Sequence, residues 1–300
     1  MSTCNKLVKR NVKLFFKDKG MLFTSLITPI ILLVLYATFL SNVYHDSFTE
    51  SMPNSINISK TVIDGIVAGQ LMSSLLAVSC VTVAFSSNFL MVQDKANGTI
   101  KDFKTSPVKS SILSLSYYIA TLISTFVICV LATCACLVYV YIKGWYMSSS
   151  DVIMLFIDVV LLILFGTALS SVINFFLTTQ GQITAVGTMV GVGYGFICGA
   201  YMPISSFSEG IQKIIMFLPG TCGTSLIRNH SMNGALDELN SKGIPNTIMT
   251  SIKDVLDCDL YFFDNKVEMT TKYLILCITI VLLLIIYILL NKFKKSNKTL

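Results

Sequence analysis

The sequence predicts an all-α membrane protein. It has six transmembrane helices, an N-terminal amphipathic interfacial helix, a short cytoplasmic helix between spans two and three, and an external re-entrant helical hairpin after span five. Three observations lead there. The 300 residues are 54% hydrophobic and 13% charged, whereas soluble domains carry about a quarter charged residues. Apolar runs near the length of about 20 residues that crosses a bilayer recur at 21–41, 66–92, 111–142, 152–177, 183–203 and 273–291. The net charge of +6 sits in short basic blocks beside those runs. That is the pattern of a membrane protein and not of a nucleic-acid-binding face.

Residues 1–20 form the amphipathic stretch. Val8, Val12, Phe15 and Phe16 fall near one helical face, and Lys6, Lys9, Arg10, Lys13 and Lys17 cover much of the rest. Such a helix lies on anionic lipid. The run that follows is longer than a signal-peptide core, and no small-x-small site follows it, so it reads as a retained span. Residues 21–300 then form one permeating domain, with loops at 93–110 and 204–272. The third run exceeds what a bilayer needs and should tilt or project beyond it. Each span must be helical, because an unpaired backbone group in lipid costs several kcal/mol.

Orientation follows from Lys and Arg. The N-terminal segment, the loop after span two (Lys95, Lys101, Lys104, Lys109) and the tail (Lys292, Lys294, Lys295, Lys298) are basic. The opposite short loops hold only Lys60 and Lys143. Both termini are therefore expected in the cytoplasm, and 204–272, whose charges lean acidic through residues such as Asp257 and Asp264, outside.

The nine cysteines show no C-x-x-C, and the only histidines are His45 and His230, so no metal site is expected. Cysteines inside apolar runs act as small hydrophobes. Cys222 and Cys258 share the external loop, which leaves a disulfide between them open. No G-x-x-x-x-G-K-[ST] occurs, so this chain carries no phosphate cradle of that kind. No catalytic cluster is visible either.

Two segments stand apart. The loop from Gln93 to Val108 has an acid at Asp94, a turn at Asn97-Gly98, a helix-capable stretch from Thr99 to Lys104 and a stop at Ser106-Pro107. Lys101 and Asp102 supply charge and Phe103 an anchor; residue content alone fits a docking helix and a solvated loop equally. After span five, Tyr201 to Arg228 holds two amphipathic pieces, Phe207–Leu218 and Gly220–Arg228, broken at Pro219-Gly220. Each is too short to span, and such backbone dips into a membrane only where protein covers it.

Within the spans, Gly187, Gly191, Gly195 and Gly199 recur every four residues. Small residues at that spacing let another helix approach, in the same chain or in a second copy. Phe85, Phe89, Asn88, Tyr194 and Phe196 either line a lipophilic path or pack. Asn88 and Asn174 need interhelical partners. Asp158 is an intramembrane acid with no basic or histidine partner evident in the sequence, a thin basis for a proton relay.

Together the two loop segments resemble the type-2 ABC exporter permease family, the membrane subunits of drug, lipid, peptide and polysaccharide exporters. That family has an acid, a Gly-Thr and a Ser-Pro between spans two and three, here Asp94, Gly98-Thr99 and Ser106-Pro107. After span five it has a small residue, an aromatic-Pro run, a Leu-Pro and an Arg, here Gly199, Tyr201, Met202-Pro203, Leu218-Pro219 and Arg228. The polar insert 231–270 departs from the pattern. The resemblance implies that 93–110 carries a coupling helix seated on a separate nucleotide-binding ATPase subunit, which holds ATP and Mg. It also implies a second permease copy or close paralogue, a plasma-membrane location, and outward transport of an amphipathic or lipophilic substrate. The competing class is an ion-coupled secondary transporter or channel, but neither an inverted repeat nor a charged constellation is visible.

Overall fold

The computed structural model describes residues 3–36, 38, 59–242, 244–263 and 265–296. The end of the first expected span (39–41), His45, Asp264 and Lys298 lie outside the described residues, as do the side chains of Lys104, Lys294 and Lys295.

The chain is helical almost throughout. Helix α1 (Thr3–Lys17) turns through 72° into α2 (Lys19–Leu35). Asp18 makes the corner, its Oδ1 accepting from the Gly20 and Met21 amides at 2.9 and 3.1 Å. This cap satisfies orphan amides of a new helix. Val8 and Phe15 of α1 are buried, while Lys6, Lys9, Lys13 and Lys17 are exposed. Arg10, Val12 and Phe16 are half-buried.

Helix α3 (Lys60–Ala96) is the central element. At 37 residues it is about 55 Å long, and it is buried along most of its length. Around it stand α2, α5 (Ser110–Lys143), α6 (Ser149–Phe176) and α10 (Pro219–Ser241). Its small residues make that density possible. A Cβ on Gly69 would stand 2.8 Å from the Ser231 carbonyl of α10. Across the other side, a Cβ on Gly166 of α6 would stand 2.9 Å from the Cys80 carbonyl of α3. Between α3 and α5 lies α4 (Thr99–Thr105), as expected from the loop.

Four described helices are long and apolar enough to cross a membrane: α3, α5, α6 and α12 (Met269–Ser296, judged to Lys292). Counting the bent pair α1–α2 as one span makes five. The remaining expected span, 183–203, is divided. It runs as α7 (Gln180–Thr188), a π-turn (Met189–Gly193) and α8 (Tyr194–Ile197), then leaves the helix at Gly199, whose φ is +69°. Glycine adopts that left-handed backbone at little cost.

The segment after span five differs from its sequence reading. Its first piece is α9 (Glu209–Met216). Its second does not stop at Arg228: α10 runs 23 residues, from Pro219 at the first turn to Ser241. No proline interrupts it. Its polar residues look like a solvated insert in sequence, yet Arg228, Ser231 and Leu239 are buried among α3, α6 and α12. The remainder of 231–270 forms α11 (Asn246–Val255) and a two-stranded hairpin, β1 (Tyr261–Phe262) with β2 (Asn265–Lys266).

Candidate functional site

Three constructions carry the chemistry of this chain. The first is at the end of α3 that enters α4. Arg10 of α1 donates to Asp94 at 2.8 and 3.3 Å, a two-pronged pair, and Tyr117 of α5 donates to the same carboxylate at 2.5 Å. The Arg10 guanidinium also lies 5.1 Å from the centre of the Phe103 ring in α4. Burial opposes the Arg10 charge, but the Asp94 carboxylate outweighs it and holds the guanidinium charged above its ordinary range. One residue further, Lys95 donates to the carbonyls of Asn174, Phe175 and Leu177 at 2.8, 2.8 and 3.0 Å. A cation there completes the C-terminus of α6, where carbonyls are left without helical partners. Asp94 and Lys95 therefore clamp α1, α5 and α6 at the root of α4.

Helix α4 itself is two-faced. Ile100 and Phe103 turn towards the bundle, and Lys101, Asp102, Thr105 and Pro107 are exposed. Gly98 starts it at φ +81°, with open space where a Cβ would be, so its backbone demands glycine and packing does not. Thr99 opens the helix, and Ser106 ends it, donating to the Phe103 carbonyl at 2.7 Å before Pro107. The residues of 94–107 singled out in sequence thus lie on the end of α3, the Gly98 turn and α4.

The second construction is a cleft of about 500 Å³ between α2, the same end of α3, and α7 with its π-turn. Phe85, Phe89, Gly187 and Gly191 all line it. Gly187 makes room for the Phe89 ring, 3.3 Å from where its Cβ would stand, and Gly191 has nothing within 4 Å. The other named residues lie elsewhere. Asn88 is buried and donates to Ser170 and Ser171 of α6 at 3.1 and 3.0 Å, an interhelical tie. Tyr194 is half-buried, its hydroxyl buried against Gly220. Phe196 stacks edge-on with Tyr201, whose ring also fills the space beside Gly195. Asn174 has no side-chain partner among the described residues.

The third construction lies at the opposite end. Arg228 donates to Asp257 at 3.0 Å, to Ser74 of α3 at 3.3 Å, and to the Gly199 carbonyl. Asp257 also takes the Ile204 amide on both oxygens, each at 3.1 Å. Burial pushes the Asp257 carboxyl up to about 6, with Arg228 and the Ile204 amide pulling against it. Lys272 of α12 is buried too and donates to Ser225 and the Cys258 carbonyl at 2.8 and 2.9 Å. Cys222 and Cys258 are both free buried thiols, so the disulfide left open by the sequence does not form. Asp158 also corrects its sequence reading: it has a histidine partner. His230 Nδ1 of α10 lies 2.6 Å from one oxygen, and Tyr273 of α12 donates to the other at 2.6 Å. The separation of 72 positions between Asp158 and His230 hid the pair from any local pattern. Among the described residues no cluster fit to hold a metal ion occurs.

The comparison with protein families decides the class. The model described as ABC-2 type transporter matches residues 3–230. The chain belongs to the ABC-2 type transporter family. It is a multi-pass membrane protein and the permease component of an ABC transporter, a transport part and not itself a catalyst. The family implies an ABC ATPase as partner. No curated protein matches the sequence. The matched stretch contains the Asp94 clamp, the cleft, Gly199 and Arg228, and ends at His230.

Proposed function

We propose that this permease is the membrane half of an exporter driven by a separate ATP-binding-cassette subunit that seats on α4. The observation that carries the reading is the clamp. A soluble partner pushing on the exposed Lys101–Asp102 face would move α3 and α5 directly. It would also move α1 and α6, because Asp94 and Lys95 bind all four helices at one point. A free loop could not transmit that displacement. In this reading α1 lies on the inner leaflet, both termini are cytoplasmic, the segment from α9 to α12 faces outward, and α9 with the start of α10 forms the re-entrant hairpin. Six spans cross the plasma membrane, α2 and the divided helix 180–197 among them.

A second copy of the chain completes the pathway. It packs along 180–197, where Met189, Val192 and Phe196 are exposed beside the glycines. Mg-ATP is bound and hydrolysed on the partner subunit. The cargo is an amphipathic or lipophilic molecule, moved outward as the cleft between α2, α3 and α7 alternates between faces. The test is purification of the permease from native membranes in mild detergent. A stoichiometric ATPase should accompany it, and Asp102→Arg should abolish that association while leaving the permease folded. Retention of the ATPase by that variant, with normal ATP-dependent flux, would overturn the assignment of α4.

A further inference from the structure

The lining of the cleft says what kind of molecule it takes. Each of its three walls presents a pair of hydroxyls one turn apart: Thr24 and Thr28 on α2, Thr82 and Ser86 on α3, Thr184 and Thr188 on α7. A spacing of four residues puts each pair on one helix face. Several of these hydroxyls have already spent their proton. Thr24 donates to the Met21 carbonyl at 3.0 Å, and Thr82 to Val78 at 3.0 Å. Thr184 donates to Gln180 at 3.2 Å and Thr188 to Thr184 at 2.9 Å. A hydroxyl that donates to its own helix offers only its lone pairs to whatever stands in front of it. The hydroxyl rows are therefore mainly rows of acceptors.

Charge agrees with this. Among the described residues Asp18 is the one charged residue on the lining, where α1 meets α2. Its Oδ1 serves the α2 cap, which leaves Oδ2 available. Lys17 and Lys19 flank it in sequence and are exposed, but they do not line the cleft. Phe85 and Phe89, one turn apart on α3, supply the apolar surface between the hydroxyls. A binding surface is selective through the partners it leaves unpaired as much as through those it satisfies. An anionic headgroup here would find donors only in the Gln93 amide and the Thr28 and Ser86 hydroxyls, opposed by the Asp18 carboxylate, with no cation among the described lining residues to neutralise it.

We infer that the cleft is selective for amphipathic molecules with a donor-rich, positively charged head, and that it rejects anionic amphiphiles. The inference rests on the exporter reading, in which this cleft holds the cargo. The ammonium sits at Asp18, donors along the head meet the threonine oxygens, and the apolar body lies on the phenylalanine rings.

The test uses the full chain with its ATPase partner in phosphatidylcholine nanodiscs. Three probes share one diazirine-bearing alkyl tail and carry an ammonium, a hydroxyl or a sulfonate head. Cross-linked peptides are mapped by mass spectrometry. The ammonium probe should label α2 and α7 most strongly, the hydroxyl probe less, and the sulfonate probe least. Asp18→Asn keeps the helix cap. It should lower ammonium labelling by about threefold, the scale of one partly hydrated ion pair, and leave hydroxyl labelling unchanged. Thr82→Val with Thr184→Val removes acceptors without changing shape much, and should lower labelling by both of those probes. Equal labelling of the cleft by all three probes, or ammonium labelling indifferent to Asp18→Asn, would overturn the selectivity and leave the cargo site standing. Labelling confined to lipid-facing positions of α5 and α12 would overturn the cargo site itself.

Discussion

The two ends of this permease are both held by an arginine–aspartate pair, and the pairs are built to opposite specifications. At the α4 end, Arg10 is 29% exposed and Asp94 9%. At the far end, Arg228 is 1% exposed and Asp257 4%. Partly hydrated pairs contribute modestly, because water competes for both charges. Fully buried pairs gain little net stability over an apolar pair, but losing one partner strands the other charge without solvent. The α4 end can therefore loosen and re-form at small cost, as a joint that receives motion must. The far end cannot, and it fixes α10, the turn at Gly199, α3 and the hairpin region as one body.

That contrast predicts an order of effects. The largest is at the far end. Arg228→Met should destabilise the purified protein by about 3–5 kcal/mol, read as a loss of folded material or a fall in Tm. Adding Asp257→Asn should restore part of it, since the stranded charge is then gone while an amide oxygen still accepts from the Ile204 N–H. At the α4 end, Asp94→Asn weakens charge-assisted bonds to Arg10 and costs about 1–3 kcal/mol. Transport should fall further than Tm does, because the variant loosens the joint without unfolding the bundle. Gly98→Ala should cost about 1–2 kcal/mol through backbone strain alone, since the space beside it is open. Faster amide exchange confined to 98–105 would register it.

A further effect is one of pH. The Asp257 carboxyl has an ordinary value of 3.8 and is raised by burial to about 6 in the fold. The folded state thus holds its proton more tightly than the unfolded state. The stability this adds is full below 3.8 and is lost as pH rises through about 6. Tm measured for wild type against Asp257→Asn should diverge over that window as pH rises, with the wild type falling.

The two ends also differ in how well they could be read. Asp94, Gly98-Thr99 and Ser106-Pro107 lie within one short stretch, and the turn and stop signals that shape α4 are local. The amphipathic spacing of residues 3–17 was equally plain, though its Arg10 partner 84 positions away was not. The far end depends on separations of 29 residues for Arg228–Asp257 and 115 for Asp158–Tyr273. His230 and Asn233 meet the acids of α6, Asp158 and Asp151, although Asn233 itself stays exposed. Helix α10 packs on several sides and has almost no one-sided apolar stripe, so no amphipathic count along it would have shown a helix. Glycine function was partly legible. Close helix approaches occur at Gly69, four residues after Gly65, and at Gly166, which has no glycine at that spacing.

The claim that α4 receives an ATPase is tested most directly by photo-cross-linking in the intact complex, with the cross-linker placed in turn at Asp102 and at Trp145. Position 102 lies on the exposed face of α4, and Trp145 is 42% exposed at the opposite end of α5. The account predicts an adduct with the ATP-binding subunit from position 102, strengthened or weakened by nucleotide, and none from position 145. An adduct from 145 with none from 102 would contradict it.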